Sequence, residues 1–415
     1  MISRSHLVFT GGIYLATYRL SKTEKVLLEL IAKSLFNKKI SESLKDVDFD
    51  SIYKESCLQA VAVIAFDGML KAGISDEDIE KYKSILQTSL VRNIQIQNAH
   101  GVLHNLLTEN NIPYCILKGC ASAYYYPKSE FRSMGDIDFI VPPEYFDKAE
   151  EVLLENGLKK IEIDCELHTV FVKGSFSYEL HRSIKGIPDG DKQEIIEKYI
   201  SQIVKTSVDA DCKGMIFEKP EHFYHGLILL LHTYEHMLSE GIGLRHLCDW
   251  AVFVNSFSSE EFKSIFEEKL KNVGLWKFAR ILSATSVDFL GMPYKEWIGE
   301  INSEITYSLI EDIFIGGNFG RKSKTRTDEG MMISKGKEQH YIYSFVKSIN
   351  KIVIHKWPVA DKIKILILFG WLFFGGRYCL RMIFGKRRKL ISKENINNAA
   401  RRQNLYSKFK LFETE

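Results

Sequence analysis

The sequence has almost no excess of charge of either sign: 56 Lys and Arg stand against 53 Asp and Glu. That near-balance excludes a chain-wide electrostatic footprint for nucleic acid, so any basic surface has to be local. Cysteine is sparse and unpatterned. The seven (Cys57, Cys115, Cys120, Cys165, Cys212, Cys248, Cys379) are odd in number and include no C-x-x-C pair, which argues against a disulfide framework or a zinc ribbon and for a reducing, cytoplasmic setting. Only 8 prolines and an ordinary 45% of apolar residues leave no room for long disordered or collagen-like stretches. No apolar run is long enough to cross a bilayer, because the strongest, over residues 365–384, is broken after Gly376 by Arg377 and Arg381. The opening 18 residues carry an apolar stretch from Leu7 to Ala16. Thr10, Gly11 and Gly12 interrupt it and no small-residue cleavage site follows, so it reads as an ordinary terminus.

What is present is a folded chain of two or three domains, given 415 residues and no internal repeat. Val26, Leu27, Leu30, Ile31 and Leu35 recur on one helical face after a capping box, Ser21 with Glu24. Further helices are predicted over Ser56 to Ala72 and around Leu86, Leu90, Ile94 and Leu103, giving a helical N-terminal domain over residues 1–108. The period then shortens. Ile112 to Leu117 and Asp136 to Val141 read as strands, with a short helix from Ala121 stopped by Pro127 between them. A helix over Glu144 to Asn156 ends at Gly157, and strands are expected at 159–163, 169–173 and 176–181. The fold class is therefore α+β, with a mixed-sheet core over 109–212. Helices are expected again over 222–238, 244–257 and 260–290, forming a C-terminal helical domain over 213–315. Residues 316–340, rich in Gly, Lys, Arg, Ser and Thr, read as a mobile loop, and 341–415 as C-terminal helices with a basic tail.

The chemistry concentrates in Gly135-Asp136-Ile137-Asp138-Phe139-Ile140-Val141. Residues two apart on a strand face the same way, so Asp136 and Asp138 project together while Ile137 and Phe139 turn inward. Crowded carboxylates call for a cation, and hard oxygens suit Mg²⁺ or Mn²⁺. Glu179, in the apolar strand 176–180, is placed to join them from a neighbouring strand, and three acids suffice for two metals. Lys118 and Gly119 end a strand just before a helix, where free N–H groups and a missing side chain suit phosphate; Arg132 and Ser133 are placed to reach phosphate oxygens from a loop. His181 shares the Glu179 strand face and is a candidate base or acceptor-orienting group.

The stretch from Ile116 to Arg182, with L-K-G, R-S-M-G-D-I-D-F-I-V and Y-E-L-H, resembles the bacterial nucleotidyltransferase-like family of the DNA polymerase β superfamily. That resemblance implies a polymerase-β-like core between helical domains. It also implies that Gly119 serves the triphosphate of an NTP (ATP is the expected one) and that Asp136, Asp138 and Glu179 hold the metals. The turn here reads Lys-Gly-Cys and lies farther from the acids than in many members. The acceptor stays open: a small molecule, a protein or RNA. Two rival readings keep the fold and change the activity, a non-catalytic nucleotide-binding adaptor and a metal-dependent phosphohydrolase.

Other features take plainer readings. His232 and His236 lie four apart with Glu235 before the second, the wrong order for a zinc protease, so a helix-packing role is expected; His225 and His246 are candidates to join them in space. Arg245 and Asp249 at i, i+4 suggest a local ion pair, with Arg245 reaching the nucleotide cleft as the alternative. Residues 363–390, closing on Lys386, Arg387, Arg388 and Lys389, read as a helix packed on the core or as an interfacial helix on anionic lipid, with packing preferred.

Overall fold

The computed structural model describes residues 19–413 apart from 43, 45–46, 163–166, 324, 334–345, 347–348, 351–352, 355, 358 and 374–392. The first 18 residues and the basic run 386–389 thus lie outside it. Helix α1 (Lys22–Phe36) opens on the expected capping box, Ser21 and Glu24 each bonding the other's backbone, and buries all five residues of the expected face. The helix expected over 56–72 is two, α2 (Phe49–Leu58) and α3 (Ala62–Lys71). Ala60 breaks it, at φ 57°, a left-handed conformation that no helix interior accommodates. Helix α4 (Asp76–Glu109) buries Leu86, Ile96, His100, Leu103 and Leu107 but leaves Ile94 exposed, so the predicted face was rotated.

A five-stranded mixed sheet follows: β1 (Cys115–Ile116), β2 (Ile137–Ile140), β3 (Lys159–Ile161), β4 (His168–Lys173) and β5 (Phe176–His181), in spatial order β1-β2-β5-β4-β3. Only β2 and β5 run parallel, joined through α6 (Phe146–Glu155) and the β3-β4 hairpin; the other pairings are antiparallel. The single-turn α5 (Cys120–Ala123) links β1 to β2. One sheet face is apolar. Ile137, Phe139, Tyr178, Leu180 and Phe171 pack with Ile96, Leu103 and Leu107 of α4 and Val152 and Leu153 of α6. The opposite face carries Asp138, Glu179 and His181 and ends on Ile140, which belongs to the second core.

Helix α7 (Gln193–Ile200) leads to a hairpin, β6 (Val208–Cys212) and β7 (Met215–Lys219), which the sequence reading missed and which crosses the boundary drawn at 212. Ala210, Cys212 and Phe217 join the sheet's core, and Glu218 N–H donates to the Tyr114 hydroxyl at 3.0 Å. The second core is helical: α8 (His222–Leu238), α9 (Leu244–Asn255), α10 (Ser259–Asn272), α11 (Trp276–Leu290) and α12 (Ser303–Gly316) surround Phe223, Phe253, Phe262, Phe266 and Trp276. The helix expected over 260–290 is split at Gly274, φ 70°, whose carbonyl accepts from Phe412 N at 2.8 Å. The five described cysteines are all free.

The mobile loop expected at 316–340 is, where described, ordered. Asn318 to Gly320 form a tight turn and α13 (Arg326–Met332) follows. Buried Arg326 pairs with Asp312, and Arg402 of α14 (Lys393–Ser407) reaches Glu329 at 3.4 Å and the Met237 carbonyl at 2.7 Å. Charge, rather than apolar periodicity, anchors this segment, so the pattern gave no sign of it. Residues 365–373 are helical: Gly370 meets Val353 and Trp371 Nε1 donates to Asn350 Oδ1 at 2.7 Å on one side, while Ile365, Leu368, Phe369, Leu372 and Phe373 are exposed. Among the described residues no helix is long and apolar enough to cross a membrane.

Candidate active site

The β2-β5 register sets Asp138 beside Glu179, and period-2 alternation sends both side chains to the polar sheet face. Asp136 enters from the turn just before β2. Oxygens of the three carboxylates lie within 4.8 Å of one another. The chain ends of β1 reinforce this corner: Leu117 N–H donates to the Asp138 carbonyl at 2.9 Å, holding the Lys118-Gly119 turn beside the acids despite their separation in sequence.

Asp138 is buried and doubly compensated. Lys118 Nζ stands 3.0 Å from Oδ1 and His181 Nε2 donates to the same oxygen at 2.9 Å. Burial alone would raise its pKa, but these two partners hold it well below the usual carboxylate range. Among the described residues no ion pair holds Asp136, and the Asp138 charge, aided by burial, raises its pKa. Glu179 approaches His181 at 3.4 Å and His168 at 3.5 Å; burial opposes its charge, and the His181 contact prevails to lower its pKa. His181 in turn is raised: burial disfavours its proton, and the two carboxylates outweigh burial. His181 Nε2 is thus engaged by both carboxylates, at 2.9 Å from Asp138 and 3.4 Å from Glu179.

Gly119 sits at φ 59°, ψ −113°, and a Cβ there would stand 2.7 Å from His100 Nε2. Both the backbone angle and the imidazole therefore require glycine. His100 itself is fully buried and its pKa pushed down to about 4 by desolvation. The helix after Gly119 is only one turn, with the Ala121 and Ala123 N–H groups bonded back to Lys118 and Gly119. Close backbone approach, not a helix dipole, is what this turn offers a phosphate.

Two expectations are corrected here. Arg132 is buried, and its Nε and Nη2 donate to Asp249 Oδ1 and Oδ2, both at 2.8 Å; Tyr126 adds a 2.7 Å bond to Oδ1. Its guanidinium braces the loop against α9, where phosphate contact was expected. Asp249 is consequently taken, and the local Arg245–Asp249 pair is replaced by the alternative: Arg245 turns to the cleft, donating to the Ser133 carbonyl at 3.4 Å with its Nε unpartnered. Burial, then the nearby Arg132, lowers its pKa.

The cleft holds about 290 Å³, near the lower end for small-molecule sites. Lys118, Gly119, Arg132, Ser133, Asp136, Asp138, Glu179, His181 and Arg245 all line it, so these nine meet here. Sequence reasoning missed Lys185, Asn318, Phe319 and Arg321 on the far wall, and His232 and His236, expected to pack between helices, line it as well. It also missed His168, which the hairpin pairs opposite His181. Counting outward from the Gly174-Ser175 turn would have found that one; the 318–321 turn left no local signal.

A mixed sheet delivering three convergent carboxylates to a cleft between sheet and helices is the architecture of a nucleotidyltransferase core. The chain belongs to a family described as uncharacterised nucleotidyltransferases, whose model matches residues 45–291. No curated protein and no solved structure matches it.

Proposed function

We propose that the protein is a cytoplasmic, Mg²⁺- or Mn²⁺-dependent enzyme of the DNA polymerase β type that moves a nucleoside monophosphate from an NTP to an acceptor hydroxyl. The observation that carries this is the convergence of Asp136, Asp138 and Glu179 oxygens within 4.8 Å on one sheet face. The donor set fits: three carboxylates are the hard oxygens that Mg²⁺ takes, and the raised Asp136 is the mark of negative charge without its counterion. When bound there, divalent ions would neutralise the triphosphate and lower the pKa of the attacking hydroxyl.

In this reading the chain's own residues do the rest. Gly119 lets backbone approach the phosphates, Ser133 and Arg245 border them, and His181 fixes Asp138 and Glu179 by a shared proton. Lys118, whose Nζ stands 3.0 Å from Asp138, lines the same cleft and would supply a positive charge to a bound phosphate. The catalytic core in this proposal runs over 109–219, with the helical body from α8 onward as the opposite wall.

Incubation with each NTP and Mg²⁺, scored by pyrophosphate release, tests the reading. Asp136→Ala is expected to lose roughly 10³-fold in rate, several kcal/mol of charge stabilisation at about 1.4 kcal/mol per factor of ten. Equal pyrophosphate release by the two proteins would remove the enzyme reading and leave a nucleotide-binding adaptor. Inorganic phosphate as the product would point instead to a phosphohydrolase.

The exposed stripe on 365–373 favours a second, separate proposal: that this helix lies on an anionic membrane surface. Its apolar residues recur at the three- and four-residue steps of one helix face, next to exposed Lys362 and shortly before the basic run 386–389.

A further inference from the structure

We infer that His232, His236 and His246 form a second metal site, for a divalent transition ion of the zinc class, separate from the carboxylates. Helix α8 supplies the first two at i, i+4, and the first turn of α9 brings the third alongside. The ring centroids form a triangle of 4.4, 5.5 and 5.5 Å, and one nitrogen from each ring lies within 4.8 Å of the others. Phe319 covers two of the rings, at 4.6 Å from His236 and 5.4 Å from His246. His225, the fourth histidine of this region, instead packs against Tyr125 and Phe253.

What points to a ligand is the unused hydrogen-bonding capacity. His246 Nε2 is buried with no hydrogen-bond partner among the described residues, and the buried His236 Nδ1 has the Glu240 carboxylate at 3.7 Å, an ion-pair distance beyond hydrogen-bond length. Packing alone explains neither, since apolar side chains would fill the same space without orphaned nitrogens. Three converging imidazoles, one buried and two half-buried, form a donor set that suits zinc and that magnesium avoids.

His246 Nδ1 accepts a 3.3 Å bond from Gly243 N–H, so in the metal-free protein the ring proton sits on Nε2. Coordination through Nε2 moves that proton to Nδ1 and gives up this one long contact for a metal–nitrogen bond. His232 and His236 line the cleft, so the fourth coordination position opens toward it and takes an oxygen ligand, water or an acceptor oxygen.

The test uses the full chain, stripped with a chelator and dialysed against Zn²⁺ or Co²⁺. Wild type is expected to retain one more equivalent of zinc than His236→Asn, and its cobalt form to show the intense visible bands of a four-coordinate site. His181→Asn, which alters the separate His168–Glu179–His181 group, should keep both signals. Equal zinc in wild type and His236→Asn, or signals lost in His181→Asn and kept in His236→Asn, would overturn the assignment. His232→Gln replaces His236→Asn if circular dichroism shows that the latter is unfolded. A wild-type cobalt spectrum with only weak six-coordinate bands sinks the proposal whatever the variants do.

Discussion

At the scale of single residues the site is a set of competing charges, and His181 shows how the competition is resolved. Its pKa lies above the ordinary 6.5 because Asp138 and Glu179 overcome burial. A group raised on folding contributes stability that is complete below its unfolded pKa and is lost as pH rises through the folded one. With a chelator present, the stability gap between wild type and His181→Gln should therefore be widest below about pH 6 and shrink as pH rises from there. Denaturant titrations across that range check it, and a gap constant with pH would mean that His181 is not the charged link between the acids. Asp138 behaves oppositely. Its depressed pKa stabilises above the ordinary 3.8 and is lost only as pH falls through the folded value, in a window that does not overlap that of His181.

Between elements, the Arg132–Asp249 pair ties the loop before β2 to α9, with both groups buried. Asp249→Ala would strand a guanidinium, at a cost of about 3–5 kcal/mol in unfolding free energy. The double replacement Arg132→Met with Asp249→Leu should recover most of it, and a single variant of wild-type stability would show the pair to be idle. This pair also marks where reading the sequence ran out. Local rules served well: the Ser21-Glu24 box, the D-x-D alternation and the stop at Gly157 depend on neighbours in the chain, and each appears as expected. Asp249 had a partner in reach at Arg245, yet the tertiary fold gave it Arg132, 117 residues away. The break at Ala60, the turn at Asn318 to Gly320 and the meeting of His246 with His232 likewise depend on contacts between distant segments, which periodicity does not record. The three acids were legible because strand alternation is a local property; the wall facing them was not.

For the molecule as a whole, the sheet's apolar face feeds one core and its polar face, ending on Ile140, borders the other, and the helical segment 365–373 belongs to neither and leaves an apolar side exposed. If that side meets lipid, the protein should float with vesicles containing anionic phospholipid and stay behind with purely zwitterionic ones, in proportion to salt. Leu368→Asp with Leu372→Asp should abolish flotation. Equal flotation by that variant, or a concentration-dependent dimer that it dissolves, would assign the stripe elsewhere. The parallel register of β2 on β5 has its own reach. Sliding either strand by one position would set Leu180 or Tyr178 next to Asp138 and send Glu179 to the greasy side, so a chain that has paired wrongly builds no cation cradle. If the three acids hold a divalent ion as proposed, its binding reports correct strand alignment, and refolded material can be sorted by it before any substrate is known.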